Sequence, residues 1–330
     1  MSPEHLPARP PRWRVVTAFA AVYLIWGSTY LAIRIAIETM PPFLMAGIRF
    51  LIAGAILYAW TRWRGTPPPA RSHWLAATIV GGLLLLGGNG GVVWAEQHVP
   101  SGLTALLIGT VPLWMALLNW LRPGGVKPGN GVIAGLTLGF MGITLLVGPG
   151  KLAGGHDVDS LGAAVLIIAS LSWATGSLYS RRAQLPASPL LATAMEMLAG
   201  GALLLIAGLP AGEWTRFEPN ALSLRSWVAL GYLIVFGALI GFTAYIWLLR
   251  VTTPAQASTY AYVNPVVAIL LGWAFAGEPL TARTLLAAAI IVAAVVVITT
   301  QRAQGVKEEK RATDERRILT KPQAVPELID

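Results

Sequence analysis

Two charged residues lie where a mostly apolar chain should carry none. Arg49 and Glu196 each fall seven residues past a proline, Pro42 and Pro189, inside apolar runs of roughly twenty residues. An ionisable group at bilayer depth costs roughly 2.5 to 3.5 kcal/mol on insertion scales, so both must face protein or water. Glu196 is the one acid well inside such a run, which makes it the candidate for carrying a coupling proton. The other role open to both residues is structural, a hydrogen bond to a neighbouring helix end, and the balance favours that role.

Pro112 and Pro265 fall near the middle of two further runs, where each removes a backbone donor and frees the carbonyl four residues earlier, at Ile108 and Ala261. Each should kink its helix. If the freed carbonyls face a shared cavity the kinks can act as hinges; otherwise they are static bends. Trp26, Tyr30, Asn89, Trp94, Trp114, Trp173, Tyr260 and Asn264 offer aromatic faces and amides suited to a pocket for mostly apolar small molecules. Helix packing accounts for any one of them equally well.

Charges at the ends of the runs, Arg34, Glu38, Glu96, His98 and Glu278, suit a gate that breaks as a mouth opens. His98 and Glu38 read as ordinary solvated charges, while Glu96 and Glu278 stay open. Gly131, Gly135 and Gly139 form a ridge that permits close backbone approach, either inside the chain or across a homodimer face.

Other chemistries find no residues. His5, His73, His98 and His156 all fall in loops or at run ends, so neither a metal cluster nor a buried Ser and His pair is expected, and no enzyme is read here. The chain has no cysteine and no phosphate-binding G-x-x-x-x-G-K-[ST] segment, which removes thiolate chemistry and a built-in ATP pump. No cofactor or metal is expected.

The elements that must position these residues are membrane helices. Of the 330 residues 55% are apolar and 12% charged, too apolar a balance for a soluble domain of this size. Continuous apolar runs cover roughly 15–34, 43–61, 74–95, 102–121, 130–149, 161–180, 189–209, 226–249, 255–276 and 281–300. Such length without alternation excludes barrel strands, so the fold class is all-α with about ten transmembrane helices. The first run is too long for a signal-peptide core, so it is expected to stay uncleaved.

A net charge of +9 reflects topology rather than nucleic-acid affinity. With the N-terminus inside, 18 basic residues fall on the cytoplasmic side and 5 outside, with Arg49 within a span. That bias places both termini in the cytoplasm. Residues 1–14 form a cytoplasmic segment, and the mixed-charge tail 301–330 reads as disordered.

The two halves share a register. A shift of 147 aligns Trp26 with Trp173, Arg34 with Arg181, Pro42 with Pro189 and Gly54 with Gly201; a shift of 153 aligns Trp94 with Trp247, Pro112 with Pro265 and Trp120 with Trp273. Five helices per repeat, 15–150 and 151–300, would insert the second half upside down, the arrangement of many secondary transporters.

The segments WGSTYLAIR (26–34), PPFLMAGIRF (41–50), GNGGVVWAEQHVPSGLTALL (88–107), TVPLW (110–114), SLSWATGS (170–177) and TYAYVNPVVAILLGWAFAGEPLT (259–281) carry a resemblance. Across 15–300 the chain resembles the EamA family of the drug/metabolite transporter superfamily, most closely its YedA-like exporters. The resemblance implies a ten-helix bacterial inner-membrane exporter of small metabolites or drugs, amino acids among the candidates. Its cavity would be bounded by the first, third, fourth, sixth, eighth and ninth helices. A channel, or a flippase for lipid or isoprenoid-type molecules on the same repeat, is the alternative.

Overall fold

The computed structural model describes residues 11–122, 129–147, 159–252, 254–257, 259–294 and 296–297. Among these, all regular structure is helical. Ten apolar helices follow one another: α1 (Arg12–Ala36), α2 (Pro42–Trp63), α3 (Arg71–Ala95), α4 (Ser101–Leu121), α5 (Asn130–Val147), α6 (Ser160–Ser180), α7 (Pro189–Ala207), α8 (Leu224–Val251), α9 (Tyr260–Ala276) and α10 (Ala282–Ala294). Seven of them are long and apolar enough to cross a membrane; within α5, α9 and α10 the apolar stretches are shorter. Residues 1–10 and the tail 301–330 lie outside the described residues.

Local chemistry sets the helix starts. Proline opens α2 and α7, where its missing N–H costs nothing and its fixed φ suits the first turn. Ser188, Ser223 and Asp159 cap α7, α8 and α6 by accepting a backbone N–H three residues on. α2 has no such residue before it. Its free donors at Phe43 and Leu44 instead reach the Glu213 carboxylate, at 3.1 and 2.9 Å, in the one-turn helix Glu213–Arg216 between α7 and α8. Glu278, just past α9, does the same for α4, accepting from Ser101 and Gly102 at 2.7 and 3.0 Å.

The helices of the two halves interleave. α2 packs on α7 and α4 on α9; α1 packs on α8 and α9, as α6 packs on α3 and α4; α2 also meets α8, as α7 meets α3. Small residues allow these approaches, as packing between membrane helices requires. At Gly54 a methyl group would come within 3.0 Å of the Ala194 carbonyl, and at Gly201 within 3.1 Å of the Gly47 carbonyl. α5 and α10 meet where Gly142 faces Ile291 and where Arg283 donates to the Leu145 carbonyl at 2.7 Å.

Three helices carry π-helical stretches, Val22–Trp26 of α1 and two more that lie at overlapping places in the two halves. These two are Gly82–Gly90 of α3 and Leu233–Phe242 of α8, and a shift of 153 makes them overlap over most of their length. Such wider turns leave backbone carbonyls for side chains to bond. Ser172 of α6 donates to the Leu83 carbonyl at 2.8 Å, and Trp26 of α1 to the Gly237 carbonyl at 3.2 Å. α4 breaks at Gly109 and Thr110, two residues before Pro112, where the Thr110 hydroxyl takes the Leu107 carbonyl at 2.6 Å. α9 stays continuous through Pro265, whose ring packs on the α4 break: a methyl at Gly109 would lie 3.1 Å from it.

Candidate functional site

The π-helical stretches, the α4 break and the two tryptophans converge on one central cavity. It leaves about 50 Å³ open to the centres of water-sized molecules and is lined by Trp26, Thr29, Tyr30, Ile33, Arg49, Phe50, Gly88, Asn89, Val92, Ile108, Ala169, Trp173, Gly237, Phe242 and Tyr260. The walls therefore come from α1, α2, α3, α4, α6, α8 and α9. α2 is an addition to the six helices that the resemblance implied.

An aromatic cluster forms the cavity's centre. Trp26 and Trp173 meet edge to face with ring centroids 5.5 Å apart, and Tyr260 stands edge-on to Trp26 at 5.4 Å. Such pairs contribute about 0.5 to 1.5 kcal/mol each beyond the area they bury. Glycine makes room for both indoles. A methyl at Gly88 would fall 2.7 Å from the Trp173 ring, and one at Gly241 would fall 2.6 Å from the Trp26 nitrogen; these glycines are 153 positions apart. Tyr245 braces the cluster from beneath, accepting the Trp173 indole N–H at 3.2 Å and sharing a 2.8 Å bond with Ser177.

Of the aromatic and amide residues singled out in sequence, Trp26, Tyr30, Asn89, Trp173 and Tyr260 stand together on this wall. Trp94 packs on His98 and Trp114 on Phe140, away from it. Asn264 is buried, and like Asn89 it leaves its side-chain oxygen without a partner. Phe50, Phe242, Thr29 and Tyr245 escaped the sequence reading because an apolar or hydroxyl residue in a membrane helix carries no mark of what it faces. Gly88 and Gly241 were findable, since the same 153 shift that pairs the prolines pairs them.

The buried charges separate. Arg49 is 3% exposed and lies on the cavity wall, its guanidinium 4.6 Å from the Phe50 ring centre. Its Nε and Nη1 have no partner, so it does not anchor a neighbouring helix end. Glu196 lies elsewhere, in a polar pocket with Arg181 and Arg250 near the start of α7 and the end of α8, and both of its oxygens are also unpartnered.

Among the end charges, Arg34 donates to the Glu96 carbonyl at 2.8 Å, and Arg181 donates to the Leu249 carbonyl at 2.6 Å. Donor and acceptor of the second bond are those of the first shifted by 147 and 153. Glu96 is fully buried with a free carboxylate, not a solvated surface charge. Glu38 forms an exposed 3.5 Å ion pair with Arg225. In the Gly131, Gly135, Gly139 ridge, Gly139 turns toward Leu113 of the same chain.

Comparison with known proteins gives this architecture a context. The model of the EamA-like transporter family matches residues 13–148 and again 160–300, two copies whose starts are 147 residues apart. The chain belongs to the EamA-like transporter family. Among EamA relatives, the inner membrane transporter YedA of Escherichia coli K12 is 45% identical over 271 residues, which cover 82% of this chain and 85% of YedA. The transporter YvbV of Bacillus subtilis 168 is 26% identical, over 83% of this chain and 88% of YvbV. A protein solved by crystallography shares the fold, with a TM-score of 0.62 and 23% identity over 88% of this chain and 98% of that one.

Proposed function

We propose that this protein is a secondary transporter of the bacterial inner membrane that exports small molecules by alternating access. Its ten helices act as two inverted five-helix repeats, α1–α5 and α6–α10, with both termini in the cytoplasm. The observation that carries this reading is the central cavity, whose core is the contact between Trp26 and Trp173, one from the first helix of each family match.

The helix pairing supports the inversion. Exchanging α1–α5 for α6–α10 turns each pairing between the halves into another pairing that is present, and it also exchanges the π-helical stretches of α3 and α8 and the two arginine-to-carbonyl bonds, while the stretch Val22–Trp26 of α1 has no mate in α6. Contacts at the helix ends sort accordingly: Glu213, Glu278 and Arg34 tie one end of the bundle, while Arg181 and Arg250 tie the other. A cavity between two such repeats, bordered by interrupted helices, is where carriers of this architecture bind their cargo.

Purified protein in proteoliposomes is the test. A carrier gives flux that saturates with solute concentration and accelerates when the same solute waits on the far side. Flux that rises linearly to high concentration would identify a channel instead. Reporters fused after Arg64 and Gln301 should read cytoplasmic and one after Glu218 outside; a shared side for Gln301 and Glu218 would remove the ten-span topology.

A further inference from the structure

Arg49 is the arginine of the bundle that is built in but not used. Arg34 of α1 and Arg181 at the end of α6, which are repeat mates of each other, both donate to carbonyls at helix ends. Arg49 is more deeply buried than either, yet among the described residues its Nε and Nη1 donate to nothing and no carboxylate reaches it at ion-pair distance. The Glu96 carboxyl is also buried and its oxygens too are without a partner, so neither group satisfies the other's hydrogen bonds. A buried donor left without an acceptor costs about 1 to 3 kcal/mol, more when charged. The position is fixed from both sides: Phe50 lies under the guanidinium plane, and Gly237 of α8 leaves the space that its Nη2 fills, 2.9 Å from where a side chain would begin.

We propose that Arg49 is an anion subsite in the central cavity and that the cargo is a small organic anion with an apolar body. A carboxylate is a charge-matched acceptor for either of these unpartnered N–H groups, which point to different sides of the guanidinium. Its hydrocarbon part then rests on Trp26, Trp173 and Tyr260, which offer faces and edges but no second full charge. This rests on the reading of the cavity as the transport site and adds the class of molecule that enters it.

The test uses the full chain in phosphatidylcholine nanodiscs and equilibrium dialysis with two matched probe pairs, benzoate against benzamide and cyclohexanecarboxylate against its amide. Each acid should bind at least tenfold more tightly than its amide. Arg49→Met should bring the acid down to the level of the amide, and Arg49→Lys should keep part of the preference. If Arg49→Met does not fold, the acid-to-amide ratio of the natural protein still decides. A ratio near one, no binding by either acid, or an unchanged ratio in folded Arg49→Met would each overturn the subsite. Loss of benzoate binding when phosphatidylglycerol is added would assign Arg49 to a lipid headgroup and overturn the solute reading. Saturable flux of neutral or cationic solutes with a ratio near one would remove the anion subsite and leave the carrier standing. Acid preference without any flux would do the reverse.

Discussion

Trp26 and Trp173 touch edge to face at 5.5 Å although 147 residues separate them, and each indole occupies space left by a glycine in the opposite half. Gly241 of α8 yields to Trp26 and Gly88 of α3 yields to Trp173. Duplication thus produced two reciprocal joints rather than one interface, and the cavity lies between them.

Gly88→Ala and Gly241→Ala should therefore act alike. An added methyl at 2.6 to 2.7 Å from a buried indole must push it into the cavity. Overpacking of this kind costs about 1 to 3 kcal/mol. Both variants should melt at lower temperature than the natural protein and lose most of their transport. Alanine variants that keep full transport would mean that the indole positions do not matter.

The Glu213 carboxylate holds the start of α2, and its removal should loosen the end of the bundle beside it. Glu213→Ala should destabilise by about 0.5 to 2 kcal/mol, the usual cost of a lost N-cap. The residue is 2% exposed, and burial raises its carboxyl above the usual range; the bonds from Leu44 and Phe43 and the charge of Arg216 offset this only in part. The folded state therefore holds this proton to higher pH than the unfolded chain does. Its contribution to stability is full below the unfolded pKa and is lost as pH rises through the folded one. Melting curves from pH 4 upward should fall less steeply for Glu213→Gln than for the natural protein; a steeper fall in the variant would refute this.

Pro265 stacks on the break of α4 at Gly109, so the two family-paired prolines, Pro112 and Pro265, act at one joint. Pro265→Ala should lower transport severalfold while expression and melting temperature stay near those of the natural protein. Unchanged transport in both Pro112→Ala and Pro265→Ala would make the bends static.

Helical class, the repeat and five residues of the cavity wall were legible in the sequence, because long apolar runs, rare tryptophans and a constant offset survive without coordinates. Orientation was not. Trp94 and Trp26 look equivalent in sequence, yet Trp94 packs on His98 while Trp26 meets Trp173. Arg49 and Glu196 are paired by the offset and share a depth, but only Arg49 reaches the central cavity, because Gly237 opens the facing helix to it. The kink expected at Pro112 takes the form of a break at Gly109 and Thr110, where Thr110 bonds the Leu107 carbonyl, while the related Pro265 sits in an unbroken helix.

Glu196 lies outside the central cavity, beside Arg250 and Arg181. Glu196→Gln should then keep gradient-driven uptake in vesicles within about twofold of the natural protein, or fail by misfolding. A folded variant that exchanges solute across the membrane but no longer accumulates it on a proton gradient would assign the coupling proton to Glu196.

The central claim, that the cavity opens to each side in turn, can be read without knowing the cargo because the chain has no cysteine of its own. Thr29 lines the cavity and is buried, whereas Gln97 lies exposed at the helix ends. A membrane-impermeant maleimide is applied to Thr29→Cys in right-side-out and in inside-out vesicles, with exposed Gln97→Cys as the reference in the first and exposed Arg64→Cys in the second. Alternating access predicts labelling of Thr29→Cys from both sides, each at least tenfold slower than the reference. Labelling from one side only, or from both sides as fast as the reference, would contradict it.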